Sequence, residues 1–331
     1  MNSINLSKHK PRALSRLGQS GAIFGIGATE IRSKHTENLF LLTADYAVPA
    51  GMNRFMNLFP ENFINVGIAE QNLIGVSAGL SNDGNNVVAS AQACFLSMRC
   101  FEQVRQYLGY MQLPIVLVGV SSGFALTYFG NTHYSLEDIS LLKNVKGLNL
   151  FSPSDALSAL YIFFHAVSLQ QPCYIRCTGG VGSPVIYDHN FDVNLGFSIL
   201  VDNEEIKENK GLILSTGNVT YNALSAVNLY NENNKTKKLD LIDVYKIAPL
   251  NADILNGIEN YNFVMIVEEH FENGGLASSI KELFSNEGIS VPIHSVNAGN
   301  EYKIPGDYEF LIENCGLDSQ GILNKLNKLE F

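Results

Sequence analysis

The sequence predicts an α/β protein of two doubly wound domains with mainly parallel sheets. Three observations predict it. Apolar runs rich in branched residues alternate with longer helical patterns from residue 20 onward, a polar break interrupts them at 187–210, and the alternation then resumes. With 331 residues, 46% of them hydrophobic, each half has enough apolar mass for its own core.

In the first half, strand patterns fall at 39–45 (LFLLTAD), 86–92 (NVVASAQ), 114–120 (PIVLVGV), 148–153 (LNLFSP) and 173–177 (CYIRC). They are almost continuously apolar, as strands covered on both faces must be. Helical patterns lie between them, near 21–36, 67–81, 95–111, 134–144 and 154–169. The break YDHNFDVNLG, followed by DNEEIKENK, places a domain boundary near 190, giving domains 1–190 and 191–331. The second set has strands at 211–216, 239–247, 262–269 and 291–296, and helices near 219–231, 274–287 and 317–328. The segment NENNKTKK (231–238) reads as a solvated loop, and no repeat of 20 to 50 residues is apparent.

A net charge of -10 with 22 basic residues leaves no electrostatic footprint for a nucleic-acid backbone. The first 17 residues carry Lys8, Lys10, Arg12 and Arg16 without an apolar run behind them, which argues against a secretory signal and for the cytoplasm. Five cysteines are an odd number in mostly apolar surroundings, so reduced, packed thiols are expected. Cys173 and Cys177 lack a second Cys or His pair to complete a metal set, and no metal site is expected on this chain. No stretch approaches the roughly 20 apolar residues of a membrane span.

In open sheets of this kind ligands bind beyond the carboxyl ends of the strands. That rule collects Asp45, Gln92, Ser121 and Pro153 at one rim, with the loop SSGFALTYFGNTHYSLED (121–138). Glu70 belongs to the same side, inside the otherwise small and apolar stretch FINVGIAEQNLIGVSAGL (63–80). Charged side chains are rarely buried without a partner. Gly67, Gly75, Ala78 and Gly79 lower helix propensity there, which suggests another backbone approaching closely. Burial of Glu70 at an interface and a wet position favoured by the helix dipole are both open from spacing alone.

The stretch FINVGIAEQNLIGVSAGLSNDG resembles the pyrimidine-binding domain of transketolases, whose motif reads about F-x-N-x-G-I-x-E-[QH]. CFLSMRCFEQVRQ, PIVLVGVSSG, GNTHYSLEDISLLKNVKGLNLFSPSD, VYKIAPLN and VEEHFENGGLASSI follow in the family's order, so the likeness covers nearly all of the chain after residue 20. It implies a thiamine diphosphate enzyme with a pyrimidine-binding domain followed by a transketolase C-terminal domain. Glu70 would hydrogen-bond the aminopyrimidine nitrogen N1′ of the cofactor. Phe95 and Phe101 match family aromatic positions around that ring, with Met98 at a position often held by Phe and Gln92 at the adjoining strand end. His133 matches the family's active-site histidine, although a lone loop histidine is by default exposed or capping. Asp45 matches a strand-end carboxylate near the substrate path, where turn capping is the structural alternative.

The resemblance also implies a missing half. The family's metal-binding GDG segment is absent, and NDGNN (82–86) reads as a helix-ending turn. This chain therefore resembles the C-terminal subunit of a split transketolase. A separate subunit is expected to hold Mg2+ and the diphosphate, in an assembly of two copies of each. The second domain, with Gly274 and Gly275 opening a helix in a spacing that matches no phosphate loop, is expected to build the self-association interface.

At the substrate end Ser121 stands where the family has a phosphate-binding histidine, Phe129 where it has an aspartate, and Gly179 where it has an arginine. Arg176 is expected within reach of substrate, and Phe124, Tyr128 and Phe129 are expected to form an apolar mouth. Loss of cationic donors argues against a tightly held terminal phosphate and for a modified, unphosphorylated or nucleotide-linked sugar. The implied reaction is transfer of a two-carbon ketol unit to an aldehyde or ketone. A β-type subunit of a 2-oxoacid decarboxylase or dehydrogenase and a non-catalytic partner subunit are the alternatives.

Overall fold

The branched apolar runs become strands in the computed structural model, which describes residues 11–188, 191–203, 205–206 and 208–329. Part of the N-terminal lead-in and the boundary expected at 190 lie outside the described residues. In the first half the strands are β1 (Leu39–Thr43), β2 (Phe63–Asn65), β3 (Asn86–Gln92), β4 (Ile115–Val120), β5 (Asn149–Phe151) and β6 (Cys173–Arg176). The second half contributes β7 (Phe197–Val201), β8 (Lys210–Thr216), β9 (Lys238–Val244), β10 (Lys246–Ala248), β11 (Phe263–Glu268) and β12 (Ile293–Val296).

The strands form two sheets, ordered β10-β5-β6-β4-β3-β1-β2 and β12-β11-β8-β9-β7. All pairings are parallel except β10 on β5 and β7 on β9, each at a sheet edge. Every residue of β4, β6, β8 and β11 is buried, which is the environment their continuous apolar pattern calls for. Helices cover both faces, and three clusters of buried apolar side chains fill the layers.

Several boundaries differ from expectation for local reasons. The expected strand 239–247 is two strands, because Tyr245 breaks it and β10 turns back to extend the first sheet. The helix expected from 67 starts at Glu70: Gly67 adopts φ +77 and Ala69 is non-helical, so the helix is Glu70–Asn82. The helix expected over 95–111 is interrupted at Cys100 (φ -101, ψ 7). The helix Ala156–Leu169 begins with a capping box in which the Asp155 side chain accepts from Ser158 N and the Ser158 hydroxyl accepts from Asp155 N. Two short strands, β2 and β7, and the helix Tyr308–Asn314 were not anticipated.

All five cysteines are free thiols, and burial pushes those of Cys94, Cys100, Cys173 and Cys177 up to about 12. Among the described residues no helix is long and apolar enough to cross a membrane.

Candidate functional site

The carboxyl ends of β1, β3 and β4 bring the rim residues together. Asp45, two residues beyond β1, is exposed and takes a left-handed conformation (φ 55). Its N–H donates to Asn65 Oδ1 at 2.9 Å, and Asn65 Nδ2 donates back to Asp45 Oδ1 at 3.2 Å. Asn65 Oδ1 also accepts from Gly67 N at 3.0 Å, so Asp45 helps to fix the turn that delivers Glu70. Ser121 follows β4 in a left-handed conformation (φ 59), its hydroxyl 3.4 Å from that of Tyr46. Gln92 closes β3, and its Oε1 is buried without a hydrogen-bond partner among the described residues.

Glu70 is buried at the first position of its helix. Its Oε2 accepts from Arg99 Nη1 at 2.8 Å, and its Oε1 accepts nothing among the described residues. The guanidinium of Arg99 lies over the Phe95 ring, 4.3 Å from the centroid. Phe95 in turn meets His133 edge-on at 5.2 Å, and Phe129 flanks the other side of the imidazole at 4.9 Å. Glu70, Arg99, Phe95, His133 and Phe129 therefore make one continuous surface, although His133 lies 63 residues from Glu70 in sequence. His133 is exposed, with Nδ1 2.9 Å from the Thr132 hydroxyl. Met98 is 40% exposed, whereas Phe101 packs against the first core.

Three expectations need correction. Arg176 does not reach the rim: it is fully buried, with Nε 2.9 Å from both oxygens of Asp138 and Nη2 donating to the backbone oxygens of Ser135 and Glu269. An arginine that close to the strand end is claimed by the nearest buried carboxylate, which would otherwise be an unpaired charge. Phe124 is not at the mouth either; it is buried edge-on against Tyr134, leaving Tyr128 and Phe129 exposed. Finally, no backbone approaches Gly67, Gly75 or Gly79, and a Cβ added at any of them would meet open space.

A cavity of about 500 Å³ opens beside Ser121 at the ends of β4 and β6. It is lined by Ser121 and Gly179, and also by Arg16 and Arg54. Of the seven arginines in the chain, Arg32, Arg99, Arg105 and Arg176 are paired with carboxylates. Arg16 and Arg54 have no ion-pair partner among the described residues, so two uncompensated cations share one cavity of an acidic chain.

The helix Leu276–Glu287, which two glycines precede, offers no anion site: the buried Glu268 carboxylate already accepts from Leu276 N at 2.7 Å and Ala277 N at 2.9 Å. Among the described residues no group of three or more His, Cys, Asp or Glu gathers as a metal site.

Comparison with known proteins decides the family. Residues 31–180 match the transketolase pyrimidine binding domain, and residues 203–322 match the transketolase C-terminal domain. One of the two apulose-4-phosphate transketolase chains of Phocaeicola vulgatus is 30% identical over 293 residues, covering 88% of this chain and 91% of that protein. The chain belongs to the transketolase family. A putative transketolase C-terminal section of Methanocaldococcus jannaschii is 28% identical over 91% of this chain and 94% of its own length. A solved split gene transketolase, described as an inactive beta4 tetramer, superimposes with a TM-score of 0.80 at 27% identity, covering 94% of this chain and 97% of that one. The likeness is thus to the C-terminal subunit of a split transketolase.

Transketolase family membership implies dependence on thiamine diphosphate, and the residues present fit its aminopyrimidine end. A buried carboxylate with one oxygen free, a partner-less buried amide oxygen on Gln92 and the flat face of Phe95 are a donor-acceptor and stacking set for a polar heterocycle. Sequence reasoning missed Arg99, Arg16 and Arg54. Arg99 carries no local signal, being 29 residues from Glu70, and Arg16 and Arg54 meet only through the fold.

Proposed function

We propose that this chain is the pyrimidine-binding subunit of a two-component transketolase, transferring a two-carbon ketol unit from a ketose to an aldehyde or ketone acceptor. The carrying observation is the unbroken surface from the Glu70 carboxylate through Arg99 and Phe95 to His133. When bound, thiamine diphosphate supplies the nucleophilic carbon and the electron sink for carbon-carbon bond cleavage. Glu70 would hold the aminopyrimidine and exchange a proton at its ring nitrogen, with Phe95, Met98, Phe101 and Gln92 shaping the seat and excluding water. His133 would stabilise charge on the substrate oxygens, with Phe129, Ser121 and Asp45 along the approach.

A partner chain would hold Mg2+ and the diphosphate, two copies of each subunit assembling, in the cytoplasm, with self-association through the second domain. Exposed Ile68 and Met98 and the open glycine face beside Glu70 support a partner packing there. The unpaired Arg16 and Arg54 support an anionic substrate, which favours a phosphorylated or nucleotide-linked sugar over a neutral one. A phosphorylated sugar also agrees with the relative named for apulose 4-phosphate.

The test is reconstitution with a diphosphate-binding subunit, thiamine diphosphate and Mg2+. Ketol transfer should fall by about 100-fold or more in Glu70→Ala, the scale of a lost acid-base group. Full activity in that variant defeats the reading, and carbon dioxide release from 2-oxoacids without ketol exchange replaces it with the decarboxylase alternative.

A further inference from the structure

The loop that carries His133 belongs to the first domain in sequence but is held by the second. Its neck is closed by reciprocal bonds between Gly123 and Ser135, both 3.0 Å. Just above the neck, the buried Glu269, which follows β11, accepts from Phe124 N at 2.5 Å through Oε1. Its Oε2 accepts from the Tyr308 hydroxyl at 2.7 Å. Gly123 is in the left-handed region (φ +64), and any side chain there would run into the Glu269 carboxylate. Phe124, Tyr134 and Leu136 are buried in the same cluster as Ile213, Met265 and Val267, which is the core of the second domain.

The loop tip is held in the same way. Asn131 Nδ2 donates to Lys303 O at 2.8 Å and Asn131 Oδ1 accepts from Lys303 N at 3.0 Å, while Phe271 N donates to Leu136 O at 3.0 Å. His133 lies between the tip bond and the buried Tyr134, within reach of Phe95.

We propose that the second domain sets the position of His133, with Glu269 as the positioning residue at the loop root and the Asn131–Lys303 pair as the tether at its tip. This rests on His133 acting in the reaction proposed above. A carboxylate suits the root because it can accept two donors from different elements at once, which no apolar side chain could do without orphaning the Phe124 N–H. Misplacing a reacting group by about 1 Å costs on the order of 100-fold in rate.

Amide hydrogen exchange on the full chain, followed by turnover of the reconstituted pair, tests the assignment. Glu269→Ala should speed exchange across 124–134 by about 10-fold and lower kcat by about 10- to 100-fold with substrate KM little changed. Glu269→Gln, which keeps an acceptor for Phe124 N, should restore most of both. Asn131→Ala, at an exposed site, should loosen 128–134 by a few-fold if the first variant fails to fold. Native exchange and native kcat in folded Glu269→Gln and Asn131→Ala, together with no difference between Glu269→Ala and Glu269→Gln where both fold, overturn the proposal. Faster exchange in a pair that shows no ketol transfer leaves the positioning intact and removes the function instead.

Discussion

Arg99 Nη1 lies 2.8 Å from the Glu70 carboxylate, pairing a half-exposed cation with an acid that is almost wholly buried. The pair is asymmetric, because only Glu70 would be left without water if it were broken. Arg99→Met should therefore destabilise the chain by about 1–3 kcal/mol in urea unfolding. Adding Glu70→Gln should return part of that loss, and simple additivity in the double-mutant cycle would show that the contact contributes nothing.

Arg16 and Arg54 give the cavity beside Ser121 its sign. Replacing either with Gln should lower kcat/KM for a phosphorylated acceptor by about 10-fold or more, the scale of one charge-assisted hydrogen bond. A neutral acceptor should be affected by less than about 2-fold, so steady-state kinetics on matched acceptors with and without phosphate is the measurement.

Asp155 bonds two parts of the chain. Its Oδ1 accepts from Ser158 N at 2.6 Å, while Oδ2 accepts from Ile186 N at 2.6 Å and Tyr187 N at 2.9 Å in the connection between the sheets. Asp155→Ala removes the helix cap and orphans two further donors, so a loss of about 2–4 kcal/mol is expected. Limited proteolysis should also open the connection around 184–188 before either domain is cut.

Burial pushes the carboxyls of Asp243 and Glu269 up to about 7. Between ordinary unfolded values near 4 and these folded values the native chain binds more protons than the unfolded one. The resulting stabilisation is complete below the unfolded pKa and is lost as pH rises through about 7. His270 is pushed down to about 4 by burial, so its contribution is lost as pH falls below the unfolded value near 6.5. Of these three groups only the two acids act between pH 6.5 and 8, and stability should rise on the order of 1 kcal/mol on acidification across that window, then level off. Urea midpoints at pH 8, 7.25 and 6.5 check it, with Asp243→Asn expected to flatten the slope.

What the sequence made legible follows from periodicity. Parallel strands buried on both faces announce themselves as apolar runs, so β1, β3, β4, β6, β8 and β11 could be placed within two residues at each end. Three-residue β2 and β10 and the edge strand β7 are too short or too exposed to carry such a pattern. The rim residues could be collected because strand ends point one way in a parallel sheet. Arg176 and Phe124 went astray because sequence spacing gives proximity to a site but not which way a side chain is buried. The pairing of Arg99 with Glu70, and the meeting of Arg16 with Arg54, are long-range contacts with no local trace.

The return of residues 246–248 to the first sheet makes the two halves poor candidates for separate expression. A fragment ending near 188 would expose the hydrogen-bonding edge of β5, an invitation to self-pairing and precipitation. Engineers wishing to swap catalytic modules between such subunits would therefore do better to carry the strip Lys246–Ala248 along with its host sheet than to cut at the polar connection.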